Sequence, residues 1–390
     1  MLDTIVLSLK EGMYIINEPD KFEPSARWVL DDKASLGGRG YATSKQNPTA
    51  SELKNGHYKP RLTLTNRLNH AGNREAMLKI ELSLPKLRFG NNFDELDMTD
   101  FEPTTELLIA RLKEMGVLVF TQLLKHAPVS AIHYSKNIPL TDGSTPYSYI
   151  KKIKEANISL ALDVNQTDYR NEGYSYKWHA NSYEVAFYDK LKDLQQAKTS
   201  EKRAIEKDNA LQLGLFDTPR KQSNFEVLRM EVRLNKRQKI GQLFKTLKID
   251  KEITYESIFD PAISQKVLLY YLDTIEKQRP SILDYKPASP TAMLADLAII
   301  NKLTPIRAFQ LLGLKQALDT INFRELRTMF GKTSDRSWYR LIAQTKAIKL
   351  PVTSSPFRVI REHLTDFKSL RLIDFQADMI NNDKNTDYDN

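Results

Sequence analysis

Residues 173–188 read Gly-Tyr-Ser-Tyr-Lys-Trp-His-Ala-Asn-Ser-Tyr-Glu-Val-Ala-Phe-Tyr. Polar and apolar side chains alternate over Gly173–Trp178 and again over Ser182–Tyr188, with His179-Ala180-Asn181 between them. A period of two marks a half-buried strand, and a short polar break between two such runs marks a hairpin. Downstream, Asn224–Leu234 (NFEVLRMEVRL) alternates in the same way. Upstream, Arg61–Leu68 and Ala76–Leu84 alternate around the turn Asn69-His70-Ala71-Gly72-Asn73. A hairpin with further strand therefore occurs near 61–84 and again near 173–234, which implies a duplicated sheet unit. Thr4–Leu9, Met13–Asn17 and Val129–Ile138 add strands. Lys33–Lys59, rich in Gly, Ser, Asn and Lys, reads as loop. Thr104–Leu118 has helical spacing, and Tyr147–Ala156 reads as a short helix.

Past residue 250 the period changes. Pro261–Lys277, Thr291–Lys302, Pro305–Gly313 and Phe323–Phe330 are helical in spacing. Phe323–Phe330, Gly331-Lys332-Thr333-Ser334 and Asp335–Ala347 read as helix–turn–helix, with Gly331 as C-cap and Ser334 as N-cap. Arg336 and Arg340 share one face of the second helix, while Trp338 and Ile342 point elsewhere. That helix suits a DNA groove, and a plain helical bundle accounts for the same pattern. The expected fold is α+β. An antiparallel sheet core occupies 1–250, with a polar linker at about 194–223. A helical DNA-binding region follows over 251–373, and an acidic tail over 374–390.

The chain has 390 residues, 41% of them hydrophobic, and no cysteine. Disulfides, thiolate zinc sites and cysteine nucleophiles are thereby excluded. The N-terminal run has no basic region and reads as no signal peptide. The longest apolar run found, Val267–Leu272, is too short for a bilayer, so no membrane partner is expected and a cytoplasmic location is. Lys and Arg number 58 against 49 acids, a net charge of +9. The stretch Asp374–Asn390 holds five acids against Lys384 alone, a local −4 that leaves +13 on residues 1–373. A basic body fits a polyanionic partner. Arg229–Lys239 concentrates Arg229, Arg233, Lys236, Arg237 and Lys239 against Glu231, as a DNA backbone would require. A solvated face carries the same composition.

Common catalytic motifs are missing. No Gly-x-x-x-x-Gly-Lys-Ser/Thr loop occurs, and no His-Glu-x-x-His or Gly-x-Ser-x-Gly. No His-hydrophobic-His pair occurs either; the six histidines are scattered. The distinctive segments are Ser83-x-x-Lys86-x-x-x-Gly90-x-Asn92, Ala131-Ile132-His133-Tyr134-Ser135-Lys136-Asn137, the strand ending Tyr188-Asp189-Lys190, and Arg229-Met230-Glu231-Val232-Arg233. Taken in this order they resemble the rolling-circle replication initiators of filamentous phages and related plasmids, the gene II family. The resemblance covers about residues 60–240 and continues weakly to Ser337–Ile348. One departure is that the family can carry Asp where His133 stands.

The resemblance implies a site-specific nick at a phage or plasmid origin, with strand joining through a 5′-phosphotyrosine intermediate. It places the nucleophile at Tyr188. A phenol of pKa near 10 is a poor nucleophile at neutral pH and needs help. Lys190 is the nearby cation that either lowers the phenol pKa or holds the phosphate. His133 and Glu231 are nominated as ligands of Mg²⁺ or Mn²⁺, being polar residues in alternating strands. The plainer readings are a hydrogen-bonded strand histidine and a cross-strand ion pair of Glu231 with Arg229 or Arg233. His179 and Asp163 are weaker ligand candidates. Expected DNA contacts are Lys86, Arg229, Arg233, Lys236, Arg237, Arg336 and Arg340. Within the polar linker, Gln212-Leu213-Gly214-Leu215-Phe216 resembles the peptide by which bacterial replication proteins dock on the sliding clamp. Gln212, Leu213, Leu215 and Phe216 either fill that partner or pack on the body. The implied partners are origin DNA, a host helicase and the clamp. Two rival functions remain: a conjugative relaxase with the same chemistry, and a non-catalytic origin-binding or partition protein.

Overall fold

The computed structural model describes residues 1–31, 41–49, 51–52, 57–68, 71–155, 166–193, 226–321, 323–329, 335–351, 355 and 357–371. The clamp-like segment 212–216, the linker, Asp163, the turn 331–334 and the acidic tail lie outside them.

The strands are β1 (Leu2–Lys10), β2 (Ile15–Ile16), β3 (Tyr41–Gln46), β4 (Arg61–Leu68), β5 (Arg74–Ser83), β6 (Val117–Leu118), β7 (Val129–Leu140), β8 (Gln166–Arg170), β9 (Ser175–His179), β10 (Tyr183–Asp189) and β11 (Glu226–Leu234). Nine of them form one sheet, in the order β3-β4-β5-β1-β7-β11-β10-β9-β8. Every pairing in it is antiparallel. The protein is thus α+β with a large antiparallel sheet. Lys33–Lys59 is not all loop, because β3 forms at its centre. Tyr41–Gln46 earns strand structure by pairing with β4, a non-local contact that loop composition does not reveal.

The duplication is visible in the topology. In the first half β1 lies at the sheet centre, with β5, β4 and β3 outward from it. In the second half β7 lies at the centre, with β11, β10 and β9 outward. In the first half the hairpin β4–β5 returns to β1; in the second the hairpin is β9–β10, β11 follows after the linker to pair with β7, and β8 adds an outermost strand. Strands β5 and β11 also share a pattern: Lys79-Ile80-Glu81-Leu82-Ser83-Leu84 and Arg229-Met230-Glu231-Val232-Arg233-Leu234.

The helices are α1 (Ala26–Leu30), α2 (Leu84–Phe89), α3 (Phe101–Glu114), α4 (Thr121–Lys125), α5 (Pro146–Ile153), α6 (Arg237–Thr246), α7 (Tyr255–Ile258), α8 (Pro261–Gln278), α9 (Pro290–Asn301), α10 (Pro305–Leu318), α11 (Phe323–Met329), α12 (Asp335–Ala347) and α13 (Arg358–Asp366). The helical run expected to reach Leu118 stops at Glu114. Gly116 adopts φ 77°, and the chain leaves as β6, which pairs with β2.

The strand residues of the main core come from one face of the sheet. Ile5, Leu7, Leu62, Leu64, Ile80, Tyr134, Trp178, Phe187, Met230 and Val232 are buried there. Helices α3, α6 and α8 supply Leu108, Leu112, Ile240, Phe244, Val267, Leu268 and Leu272 to the same core. Each such side chain contributes about 1.5–3 kcal/mol of apolar burial. The opposite face carries Thr63, Lys79, Glu81, His133, Glu231, Arg233, Glu184 and Lys177, in register across the strands.

The core boundary does not follow the change of period at 251. Helices α7, α8 and α13 pack into the sheet core through Tyr255, Tyr271, Ile360 and Leu364. A second core gathers Ile282, Met293, Leu297, Leu311, Leu326, Trp338, Ile342 and Leu350. The separate helical unit is therefore about 281–351. Apolar stripes report that a helix packs, not which core it packs on.

Candidate active site

On the open face of the second half, Arg229, Glu231 and Arg233 project together from β11. The antiparallel register sets Tyr188 opposite Arg229, Ala186 opposite Glu231 and Glu184 opposite Arg233 on β10. On the other side, β7 sets Asn137, Ser135 and His133 opposite the same three residues. Three strands far apart in sequence thus present one polar cluster.

Its centre is Glu231, which is 3% exposed. The Tyr188 hydroxyl donates to Glu231 Oε2 at 3.0 Å. His133 Nδ1 stands 3.5 Å from Oε1. Arg233 grips the same carboxylate with two donors, Nε to Oε1 at 2.9 Å and NH2 to Oε2 at 2.9 Å. Its third nitrogen pairs with Glu184 at 2.9 Å. Lys177 adds a contact to Glu184 at 3.3 Å, and His179 pairs with Asp168 at 3.3 Å. Opposite charges therefore alternate across β9, β10, β11 and β7. Burial opposes ionisation of Glu231, but Arg233 and then His133 outweigh it and hold the carboxyl well below its usual range. Burial, and then the neighbouring Glu231 charge, push the half-buried Tyr188 phenol well above its ordinary value.

A second, deeper network lies beside it. β1 meets β7 no further along than Tyr134, so β7 runs on past its partner. The segment after α2 fills that edge. Gly90, at φ 72°, ends the helix. Asn91 Oδ1 then accepts from the amides of Phe93 and Asp94, both at 2.9 Å, which folds the chain back. Asn137 donates to Phe93 O at 2.7 Å, and its amide to Glu95 Oε1 at 2.6 Å. Glu95 also holds Lys136 at 2.5 Å, each only 3% exposed. Arg229, 1% exposed, donates to Asn92 O (2.8 Å), Asn137 Oδ1 (3.1 Å), Asp3 Oδ2 (2.6 Å) and Ser135 Oγ (2.7 Å). Lys190 is fully buried and donates to Asn92 Oδ1 at 2.6 Å. Burial, and then Arg229, lower its ammonium pKa to about 7.

The structure brings Tyr188, His133, Glu231 and Arg233 together. The plainer reading of Glu231 holds in its partner but not in its geometry: the ion pair with Arg233 runs within β11 rather than across strands, and Arg229 pairs with Asp3. Lys190 and Lys86 are buried beside the open face, and Arg229, though on the same sheet face, is covered by the Asn92 segment. Lys86 is 5% exposed on α2 and adds to the positive field at Lys190. Arg229 and Lys190 hold the Asn92 segment against the sheet rather than facing a strand of DNA, and Lys86 is buried near them. Lys236 and Arg237 are exposed where α6 begins, and Arg336 and Arg340 are exposed on α12 above the buried Trp338 and Ile342. The residues not foreseen are Glu184, Asn92 and Asp3. Glu184 shares a face with Tyr188 by simple alternation, so a legible signal existed. Asp3 had none, lying 226 positions from Arg229.

Among the described residues no three His, Cys, Asp or Glu side chains gather as a metal site. His133 and Glu231 nonetheless fit as two donors, one imidazole and one carboxylate, beside an open face where phosphate and water complete a shell. Arg233 is the cation such an ion has to displace. Among the described residues no helix is long and apolar enough to cross a membrane. No family model, curated protein or solved structure matches the chain.

Proposed function

We infer that this chain is a rolling-circle replication initiator that nicks and rejoins one strand of an origin through Tyr188. The observation that carries the reading is the Tyr188 hydroxyl at 3.0 Å from Glu231, with His133 and Arg233 around the same carboxylate on an open sheet face. A nucleophile needs an adjacent base, and Glu231 can serve as one for Tyr188 once Arg233 turns away and no longer holds its pKa down. The four segments that carry the family resemblance also meet here, although nothing in their spacing requires it.

In the proposed reaction the tyrosyl oxygen bonds to phosphorus, and the bond to the 3′ oxygen breaks. The phenol proton passes toward Glu231 Oε2, and the leaving oxygen takes a proton to become a 3′-hydroxyl. The 5′-phosphate stays on Tyr188, so rejoining requires no nucleotide. Arg233 supplies two-pronged recognition of phosphate once it turns from Glu231. His133 and Glu231 would hold Mg²⁺ or Mn²⁺, which would spread the charge on the phosphate oxygens.

Incubation with single-stranded origin DNA and Mn²⁺, followed by a denaturing gel, tests the reading. A covalent protein–DNA band is expected, absent in Tyr188→Phe. Cleavage at the wild-type rate by Tyr188→Phe would overturn the assignment. A second reading, an origin binder without chemistry, rests on the exposed Arg336 and Arg340 of α12, and predicts duplex binding with no adduct. A relaxase gives the same adduct on a transfer origin. A host helicase, the sliding clamp and a cytoplasmic setting in a bacterial host belong to the proposal.

A further inference from the structure

We propose that the first half of the sheet is a binding track for the single strand that flanks the nick. This rests on the nicking function proposed for the second half. The two halves form one sheet, and Leu2 facing Tyr134 and Ile5 facing Ile132 show that the core face continues across their junction. The open face therefore continues as well, from Tyr188 and Glu231 over β7 and β1 to β5, β4 and β3. In the first half that face carries Lys10, Lys45, Arg61, Arg67 and Lys79 against Glu75 and Glu81, a surplus of three positive charges. At its far edge Tyr41 is 45% exposed and lies opposite Arg67. Between these stand Thr43, Thr63, Thr65 and Ser8, with Val6 and Met77 as the apolar members of the face. Lysines and arginines for phosphate and an exposed ring for stacking are the usual parts of a single-strand surface. A duplex is too stiff to follow a twisted sheet face at this depth.

The geometry also sets a length. Tyr41 on β3 lies six strands from Tyr188 on β10, about 29 Å across the sheet, and the registers carry it about 13 residues further along the strand direction, roughly 40 Å more at the strand rise. A strand of on the order of ten nucleotides spans that path, within the range of single-strand sites. The catalytic half is short of such positions, because Arg233 is tied to Glu231 and Glu184 and Arg229 is buried. The track would supply the affinity that the site itself does not.

The experiment uses the full chain carrying Tyr188→Phe, so that cleavage does not disturb binding. Fluorescence anisotropy is read on a four-nucleotide strand centred on the nick, and on strands extended by eight nucleotides on one side or the other. Extension on one side should tighten binding by tenfold or more. Tyr41→Ala with Lys45→Ala and Lys79→Ala should remove that gain and leave the short strand unchanged. The salt slope of the long strand should fall by about 1.4 for the two lysines. Equal affinity for short and extended strands, or a triple variant that binds the long strand like its parent, would overturn the track. A melting curve accompanies each variant; Lys45→Glu with Lys79→Glu, both exposed, repeats the test if the triple variant melts early. No length-dependent gain in the Tyr188→Phe chain, with the wild-type chain still forming the adduct, rejects the track alone. Absence of the adduct in the wild-type chain, with the gain intact, rejects the nicking reading alone.

Discussion

The two halves of the sheet are built to one plan and differ in what they place on it. Laid on each other by their shared Lys/Arg-x-Glu-x-x-Leu pattern, Glu81 falls where Glu231 stands, Lys79 where Arg229 stands and Ser83 where Arg233 stands. The cross-strand partners follow. Glu231 faces Ser135 and Ala186, while Glu81 faces Val6 and Arg61. Arg229 faces Tyr188, while Lys79 faces Thr63. Arg233 faces His133, while Ser83 faces Thr4. The first half has the carboxylate but neither the phenol, the imidazole nor the second guanidinium. Glu81 is exposed, Glu231 is buried, and burial is what couples a carboxylate strongly to its neighbours. One framework therefore carries a site in one half and an open polar surface in the other.

The sharpest way to break this comparison is to exchange the paired positions. Tyr188→Phe should abolish adduct formation while origin binding stays within a few fold, because ring packing survives. Thr63→Val, at the matching position, should leave cleavage unchanged; a denaturing gel reads both. A cleavage defect in Thr63→Val equal to that of Tyr188→Phe would mean that both halves take part in the chemistry.

Next in size are the carboxylates. Glu231→Ala should slow cleavage by about 10²-fold or more. It should also cost about 1–3 kcal/mol of stability, because the Tyr188 hydroxyl and two Arg233 donors lose their acceptor while Arg233 keeps Glu184. Glu81→Ala should change stability by no more than about 0.5 kcal/mol. His133→Ala should share the loss of cleavage with Glu231→Ala but not the loss of stability, since its ring is half-buried. Denaturant melts and a chelator-controlled cleavage assay separate the two effects.

A smaller effect concerns pH. The Lys190 ammonium titrates near pH 7 in the folded chain, against an ordinary value near 10.5 unfolded. Between these values the unfolded chain binds more protons, so this group makes stability rise with pH over that window. Lys190→Met should flatten the rise of melting temperature between about pH 7 and 10. An unchanged pH profile would show that Lys190 stays charged against Asn92. Smallest is the contrast between the sheet and α12. Arg336→Ala with Arg340→Ala should weaken duplex origin binding by about tenfold and single-strand binding by much less. Equal losses on the two substrates would remove the groove reading of that helix.

Much of the sheet was legible because alternation is a local signal. Arg61–Leu68 became β4 with its bounds unchanged, and Asp335–Ala347 became α12 likewise. An ion pair of Glu231 with Arg229 or Arg233 was expected across strands; it forms with Arg233 along one strand face instead. Three things were not legible. β3 is polar and gains its structure from β4, so its composition resembles loop. Lys190 and Arg229 looked like surface cations, because charge in a sequence says nothing about depth. Their burial follows from the Asn91–Glu95 segment crossing the end of β7, an event of tertiary structure. The division of the cores near 280 was hidden for a similar reason: α8 and α9 both carry apolar residues, and only packing assigns each to a core.

By itself the sequence determined the antiparallel hairpins and the helical C-terminal part from short-range periodicity, and the candidacy of His133 and Glu231 from polar chemistry in alternating strands, while the candidacy of Tyr188 came from the family resemblance. Only the tertiary structure decided that these three meet on one open face. It also buried Arg229, Lys190 and Lys86, and it set a basic, uncovered half-sheet beside the site. The reason is physical. Strand register is fixed where an apolar face is buried, and that register then places every polar side chain on the other face.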